Sequence, residues 1–152
     1  MKLEPFKLER FFDRHEFSAP YLLCCSDCQP LQLSSLLELA DRECSKLWRE
    51  LDLSYTESQG HPLLRCSIAD GYGSSIGQEQ ILVTAPAEGI FLAMNALLEP
   101  GDRLVCTAPA YQSLFQIARS IGAKVDFWRL RETEQWSFEL SDTPQSGKQV
   151  KL

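Results

Sequence analysis

The chain has 152 residues, 44% of them hydrophobic, with 8 Gly, 8 Pro and 6 Cys, a size that suits one domain. Fifteen basic and twenty-one acidic residues leave a net charge of −6 and a pI near 4.9. That balance excludes the Lys/Arg excess that non-specific nucleic-acid binding requires. A charged fraction of 24% with abundant Leu, Ile and Phe also excludes a wholly disordered chain.

The first residues, M-K-L-E-P-F-K-L-E-R-F-F, are broken by charge and hold no apolar signal-peptide core. Nowhere do about 18 apolar residues run together, as a membrane-spanning helix needs. A cytoplasmic location is therefore expected. Residues 1–33 carry Pro5, Pro20 and Pro30 and little sustained period, and read as an N-terminal arm with a short extended piece over 21–25. Ser35 and Glu38 have capping-box spacing. Leu36, Leu39, Ala40, Cys44, Leu47 and Leu51 then recur at helical spacing, which predicts one amphipathic helix over 35–50. A polar loop over 52–61 leads to a helix from about Pro62, ended by Gly71 and Gly73.

From Gln80 the rhythm becomes regular. Residues 81–84 (I-L-V-T) read as a buried strand, and Pro86 through Leu98 as a helix stopped by Pro100-Gly101. Residues 103–107 form a second predicted strand, about 110–120 a helix ending at Gly122, and 124–128 a third strand. Strand, helix, strand, helix, strand with short loops is the pattern of a parallel sheet covered by helices. Residues 129–152 are mostly polar, and 141–148 show no core pattern. A parallel sheet that stops at three strands leaves an unpaired edge, so the domain reads as incomplete.

Cys25 and Cys28 form a C-x-x-C pair, but zinc needs a second pair at similar spacing. Cys24, Cys44, Cys66 and Cys106 do not supply it, and His15 and His61 stand alone. Small, buried, reduced thiols are the expected role. In open parallel sheets, ligands bind beyond the carboxyl ends of the strands. Three positions meet that condition. The turn from Thr84 to Gly89 runs from a strand into a helix start, where free amides and the helix dipole suit a phosphate. Pro86, which has no N–H, and the charge of Glu88 oppose that use, and a plain turn with Pro at the first helical position is the other reading. Tyr111, after the next strand, offers either a stacking surface for a planar ring or core packing. The loop over 54–60 offers a wall for a binding site or an ordinary surface loop, and His61 a general base or a loop residue. There is no Ser/His/Asp triad, Walker loop or metal-ligand constellation.

Taken together these residues resemble the first part of the fold-type I enzymes dependent on pyridoxal phosphate, specifically the class I/II aminotransferases. The resemblance spans about Tyr21 to Trp128. It rests on Tyr55 through Arg65 (Y-T-E-S-Q-G-H-P-L-L-R), on the 81–84 segment with its turn, on Ile90 through Asp102, and on Ala108-Pro109-Ala110-Tyr111. It implies an α/β fold: a partial three-layer, parallel-sheet large domain, preceded by an N-terminal arm and a helix. The expected division is an arm over 1–33, the incomplete large domain over 34–140, and a divergent, disordered tail over 141–152.

The same resemblance implies pyridoxal 5'-phosphate as cofactor. Ala87 and Glu88 fall where relatives bind the cofactor phosphate through backbone amides, although the segment is one residue shorter than the family's usual pattern. Tyr111 matches the aromatic that stacks on the pyridine ring, and Gly60 a glycine near the substrate site. The implied partners are an amino-acid or keto-acid substrate and, for the full-length family, a second copy in a homodimer. The Schiff-base lysine lies later in relatives than the region matched, and none of the six lysines here matches its motif. The expected function is thus an aminotransferase-like segment that does not transaminate alone. The alternatives are a non-catalytic interaction protein retaining half the fold and, last, a C-x-x-C redox or zinc protein.

Overall fold

A computed structural model describes residues 3–143 and 150–152. In chain order the regular elements are α1 (Lys7–His15), α2 (Leu33–Glu38), α3 (Arg42–Arg49), α4 (Pro62–Gly71), α5 (Pro86–Leu97), β1 (Arg103–Ala108), α6 (Gln112–Ile121) and β2 (Lys124–Arg129). They fall into two units, Met1–Ala19 with Thr84–Leu152, and Pro20–Val83. The bounds are not those of the expected arm over 1–33, large domain over 34–140 and tail over 141–152.

The first unit is an α/β structure built on a parallel pair. Strands β1 and β2 run in register from Arg103 opposite Lys124 to Ala108 opposite Arg129. Alternation along β1 turns Leu104 and Cys106 into a core with Met94 and Leu98 from the α5 end and Ile117 and Ala118 from α6. Ala118 is wholly buried. Helix α6 is the crossover between the strands and packs against α5. It ends at Gly122, whose φ of 102° is the left-handed conformation in which glycine avoids a Cβ clash. The N–H of Gly101 donates to the Gly122 carbonyl at 3.0 Å, so the loops leaving α5 and α6 are joined at the end where both strands begin.

Several expectations hold closely. Helices α4, α5 and α6 and both strands lie within about two residues of the predicted bounds. The strand over 81–84 does not form: the sheet of the described residues has two strands. A lone apolar run has no ladder to join, and the Val83 N–H instead donates to the Gln59 carbonyl at 2.9 Å. The single helix over 35–50 is two helices. Asp41 is extended and its carboxylate accepts the Cys44 N–H at 2.7 Å, so a strong N-cap starts α3 where one continuous helix was expected. Ser35 and Glu38 are not a capping box, because α2 is capped by Gln32 and already includes both. Helix α1 lies inside the segment read as an arm without sustained period.

The cysteines also differ from expectation. Only Cys106 is buried, and Cys24, Cys25, Cys28, Cys44 and Cys66 are exposed. All five belong to the second unit, where little is covered: within residues 20–83 the one buried apolar residue is Ala69. Among the described residues no three His, Cys, Asp or Glu side chains converge as metal ligands. Of the tail, residues 144–149 lie outside the described residues, whereas Val150–Leu152 meets β1.

Candidate functional site

Helix α5 begins with Ala85 as its N-cap and Pro86 in the first turn, and no side chain caps it. The Gly89 N–H bonds to the Ala85 carbonyl at 2.9 Å. Pro86 has no N–H, so the donors of this turn without an intrahelical acceptor are those of Ala87 and Glu88. A first side-chain carbon at Gly89 would lie 2.6 Å from the Thr84 hydroxyl oxygen. Glycine there lets that hydroxyl sit over the helix start. Two amides, a hydroxyl and the positive end of a helix dipole form a donor set that fits a phosphate dianion. The Glu88 carboxylate, also in the first turn, and Pro86, which supplies no N–H, oppose it.

Tyr111 is the N-cap of α6, placed directly beyond the carboxyl end of β1, after the cis Ala108–Pro109 peptide. The residue is 51% exposed. Tyr111 is therefore not packed into the core. Helices α5 and α6 pack together with their C-terminal loops joined, so both helix starts point toward the end of the sheet where the strands finish. Ala87, Glu88 and Tyr111 thus belong to one unit.

Gly60 belongs to the other unit. It has φ of 102°, its N–H donates to the Glu57 carbonyl at 2.8 Å, and an added Cβ would lie 2.7 Å from Val83 Cβ. Conformation and space both demand glycine here. Arg65 holds the loop: Nε donates to the Gly60 carbonyl at 3.0 Å, and Nη1 to Gln59 Oε1 at 3.1 Å and the Gln78 carbonyl at 3.0 Å. His61, read from sequence as a base or a loop residue, is the N-cap of α4, with its Nδ1 accepting the Leu63 N–H at 3.2 Å. The Thr56 hydroxyl, donating to Glu57 at 2.7 Å, is the main cause that holds that carboxyl below its ordinary range. Residues 54–57 of that loop, with Leu47, Leu51 and Leu63, line an open groove of about 1190 Å³, and residues 58–60 do not.

The structural roles of two residues escaped the sequence reading. One is Arg65, which the sequence shows only as the end of the Tyr55–Arg65 stretch and which organises the Gly60 turn. The other is Gln112, next to Tyr111, whose Oε1 accepts the Lys7 N–H at 2.9 Å while Nε2 donates to the Pro5 carbonyl at 3.2 Å. Neither has a local signal, since each acts on a backbone group that only folding brings near.

This combination of a parallel β-α-β crossover with helix starts beyond the carboxyl ends of the strands is that of an α/β domain built on a parallel sheet. The sequence matches the family "Aminotransferase class I and II" over residues 31–148. The chain belongs to that family. It is similar to an aspartate aminotransferase of Pyrococcus horikoshii, 34% identical over 103 residues, covering 64% of this chain and 25% of the relative. It is also similar to kynurenine–oxoglutarate transaminase 1 of Mus musculus, 32% identical over 83 residues, covering 51% and 20%. Among solved structures, a PLP-dependent aminotransferase from Streptococcus suis aligns with a TM-score of 0.78 and 32% identity, over 93% of this chain and 38% of that one. The chain spans about a quarter or less of the length of these two curated relatives.

Proposed function

We propose that this chain carries part of the cofactor-binding portion of a pyridoxal 5'-phosphate-dependent aminotransferase, acting on an amino-acid or keto-acid substrate in a cytoplasmic homodimer. The observation that carries the reading is the half-exposed Tyr111 at the carboxyl end of β1, in the same unit as the uncapped start of α5. The Ala87 and Glu88 amides and the Thr84 hydroxyl would hold the cofactor phosphate, and Tyr111 would cover one face of its ring. Gly60, in the loop organised by Arg65, would serve in substrate binding. Bound, the cofactor supplies an electron-poor ring that withdraws charge from the substrate's α-carbon. The residues of this chain would orient that ring and exclude water from one side of it. None of its lysines takes the Schiff-base role, so the chain alone does not transaminate.

Equilibrium dialysis with pyridoxal 5'-phosphate tests the reading. Reversible binding is expected, weakened about three- to tenfold by Tyr111→Ala and little by Tyr111→Phe, as loss of one aromatic stacking contact implies. Equal binding by Tyr111→Ala and the unchanged chain would overturn the stacking role. A borohydride-fixed adduct at one particular lysine would overturn the statement about lysines.

A further inference from the structure

The second edge of β1 is occupied, and not by a strand. Between β1 and β2 the ladder is bracketed by the Lys124 N–H on the Asp102 carbonyl at 2.7 Å and the Leu130 N–H on the Ala108 carbonyl at 2.8 Å. In a parallel pair alternate residues of each strand face the partner. With this register Leu104, Cys106 and Ala108 direct their backbone groups to β2, and Arg103, Val105 and Thr107 direct theirs to the opposite edge. There the Lys151 N–H donates to the Arg103 carbonyl at 3.0 Å, and the Val105 N–H donates to the Leu152 carbonyl at 2.9 Å. The paired numbers rise together, so Val150–Leu152 runs in the sense a third parallel strand would take. A side-chain contact fixes the register: Lys151 Nζ lies 3.0 Å from Asp102 Oδ2. Asp102 is itself held by the Glu99 N–H at 2.7 Å, which ties the contact to the turn between α5 and β1.

We propose that Val150–Leu152 is an intramolecular guard that occupies the free edge of β1 and keeps it from pairing with β1 of a second copy of this chain. The edge invites such pairing, because Arg103–Ala108 (R-L-V-C-T-A) is a β-prone strand with backbone donors and acceptors directed outward. A segment of the same chain competes well, since its effective concentration far exceeds that of another molecule. Lysine suits the position: its ammonium pairs with Asp102, and a charge at a sheet edge discourages further strand addition.

Lys151→Pro in the full chain tests this, because proline removes both the N–H that meets Arg103 and the ammonium that meets Asp102. The readouts are amide hydrogen exchange at Val105, exchange at Leu104 as the reference facing β2, and mass by light scattering over a range of concentrations. The guard predicts exchange at Val105 at least about tenfold faster, Leu104 much less affected, and a mass that rises with concentration above that of the unchanged chain. Lys151→Arg, which keeps both contacts, should match the unchanged chain. Lys151→Ala, which keeps the amide, should show the same pattern with a smaller factor and serves if the proline variant does not fold. Unchanged exchange at Val105, equal acceleration at Val105 and Leu104, or a mass no different from the unchanged chain would each overturn the proposal.

Discussion

The Nε of Arg65 donates to the carbonyl oxygen of Gly60 at 3.0 Å, across one turn of chain from the loop into α4. The same guanidinium reaches Gln59 and the Gln78 carbonyl, so one side chain ties the loop before α4 to the segment after it. Removing it breaks three charge-assisted hydrogen bonds in a partly exposed place. Arg65→Ala should lower stability by about 1–2 kcal/mol, read as an earlier urea midpoint. Arg65→Lys should recover only part of this, because an ammonium cannot reproduce the planar fork. An unchanged midpoint in Arg65→Ala would show that the Gly60 turn holds without the clamp.

Gln112 holds the N-terminal segment through both halves of its amide. The contacts are exposed, and one neutral hydrogen bond is worth about 1 kcal/mol. In Gln112→Ala, trypsin should therefore cut at Arg10 and Arg14 about fivefold faster, as the segment opens more often. Gln112→Glu keeps the acceptor for the Lys7 N–H and loses the donor to Pro5, so an intermediate rate is expected. Identical digestion of all three proteins would mean that Phe6, packed against the core, holds the segment by itself.

The Asp102–Lys151 contact has a defined pH window. The Glu99 N–H, and after it Lys151, hold the Asp102 carboxyl below its ordinary value of 3.8. Its contribution is complete above that value and lost as pH falls through the lowered one. Asp102, with a smaller effect from Glu99, raises the Lys151 ammonium above its ordinary 10.5, so that contribution is complete below 10.5 and lost as pH rises through the raised value. NMR shifts of the Lys151 and Val105 amides should stay constant between about pH 5 and pH 9 and move together outside it. A midpoint near neutrality would contradict the pairing.

Much of the α/β unit was legible because its signals are local. The apolar runs at 103–107 and 124–128, Pro86 at a helix start and Gly122 at a helix end each state their role within a few residues. The 81–84 run was read as a strand from the same kind of signal, yet strand formation depends on a neighbour, and periodicity carries no information about neighbours. The break between α2 and α3 shows a different limit. Leucine spacing continues through Leu39 and Ala40, and one Asp41 carboxylate on the Cys44 N–H outweighs it. For the candidate site, Tyr111 is half exposed and α5 starts without a side-chain cap, neither of which a local sequence signal states. Gly60 was singled out for a place near substrate, whereas its φ and the proximity of Val83 supply a structural demand that the sequence did not reveal.

The bond between Lys7 and Gln112 joins residues 105 apart in the chain. On a ribosome that adds about 5–20 residues per second, Gln112 emerges roughly 5–20 s after Lys7. Throughout that interval the partner of the N-terminal segment does not yet exist, and neither does the completed core against which Phe6 rests. Residues made well before their partner are therefore docked late, and a chaperone that binds nascent apolar segments has that interval in which to meet Phe6.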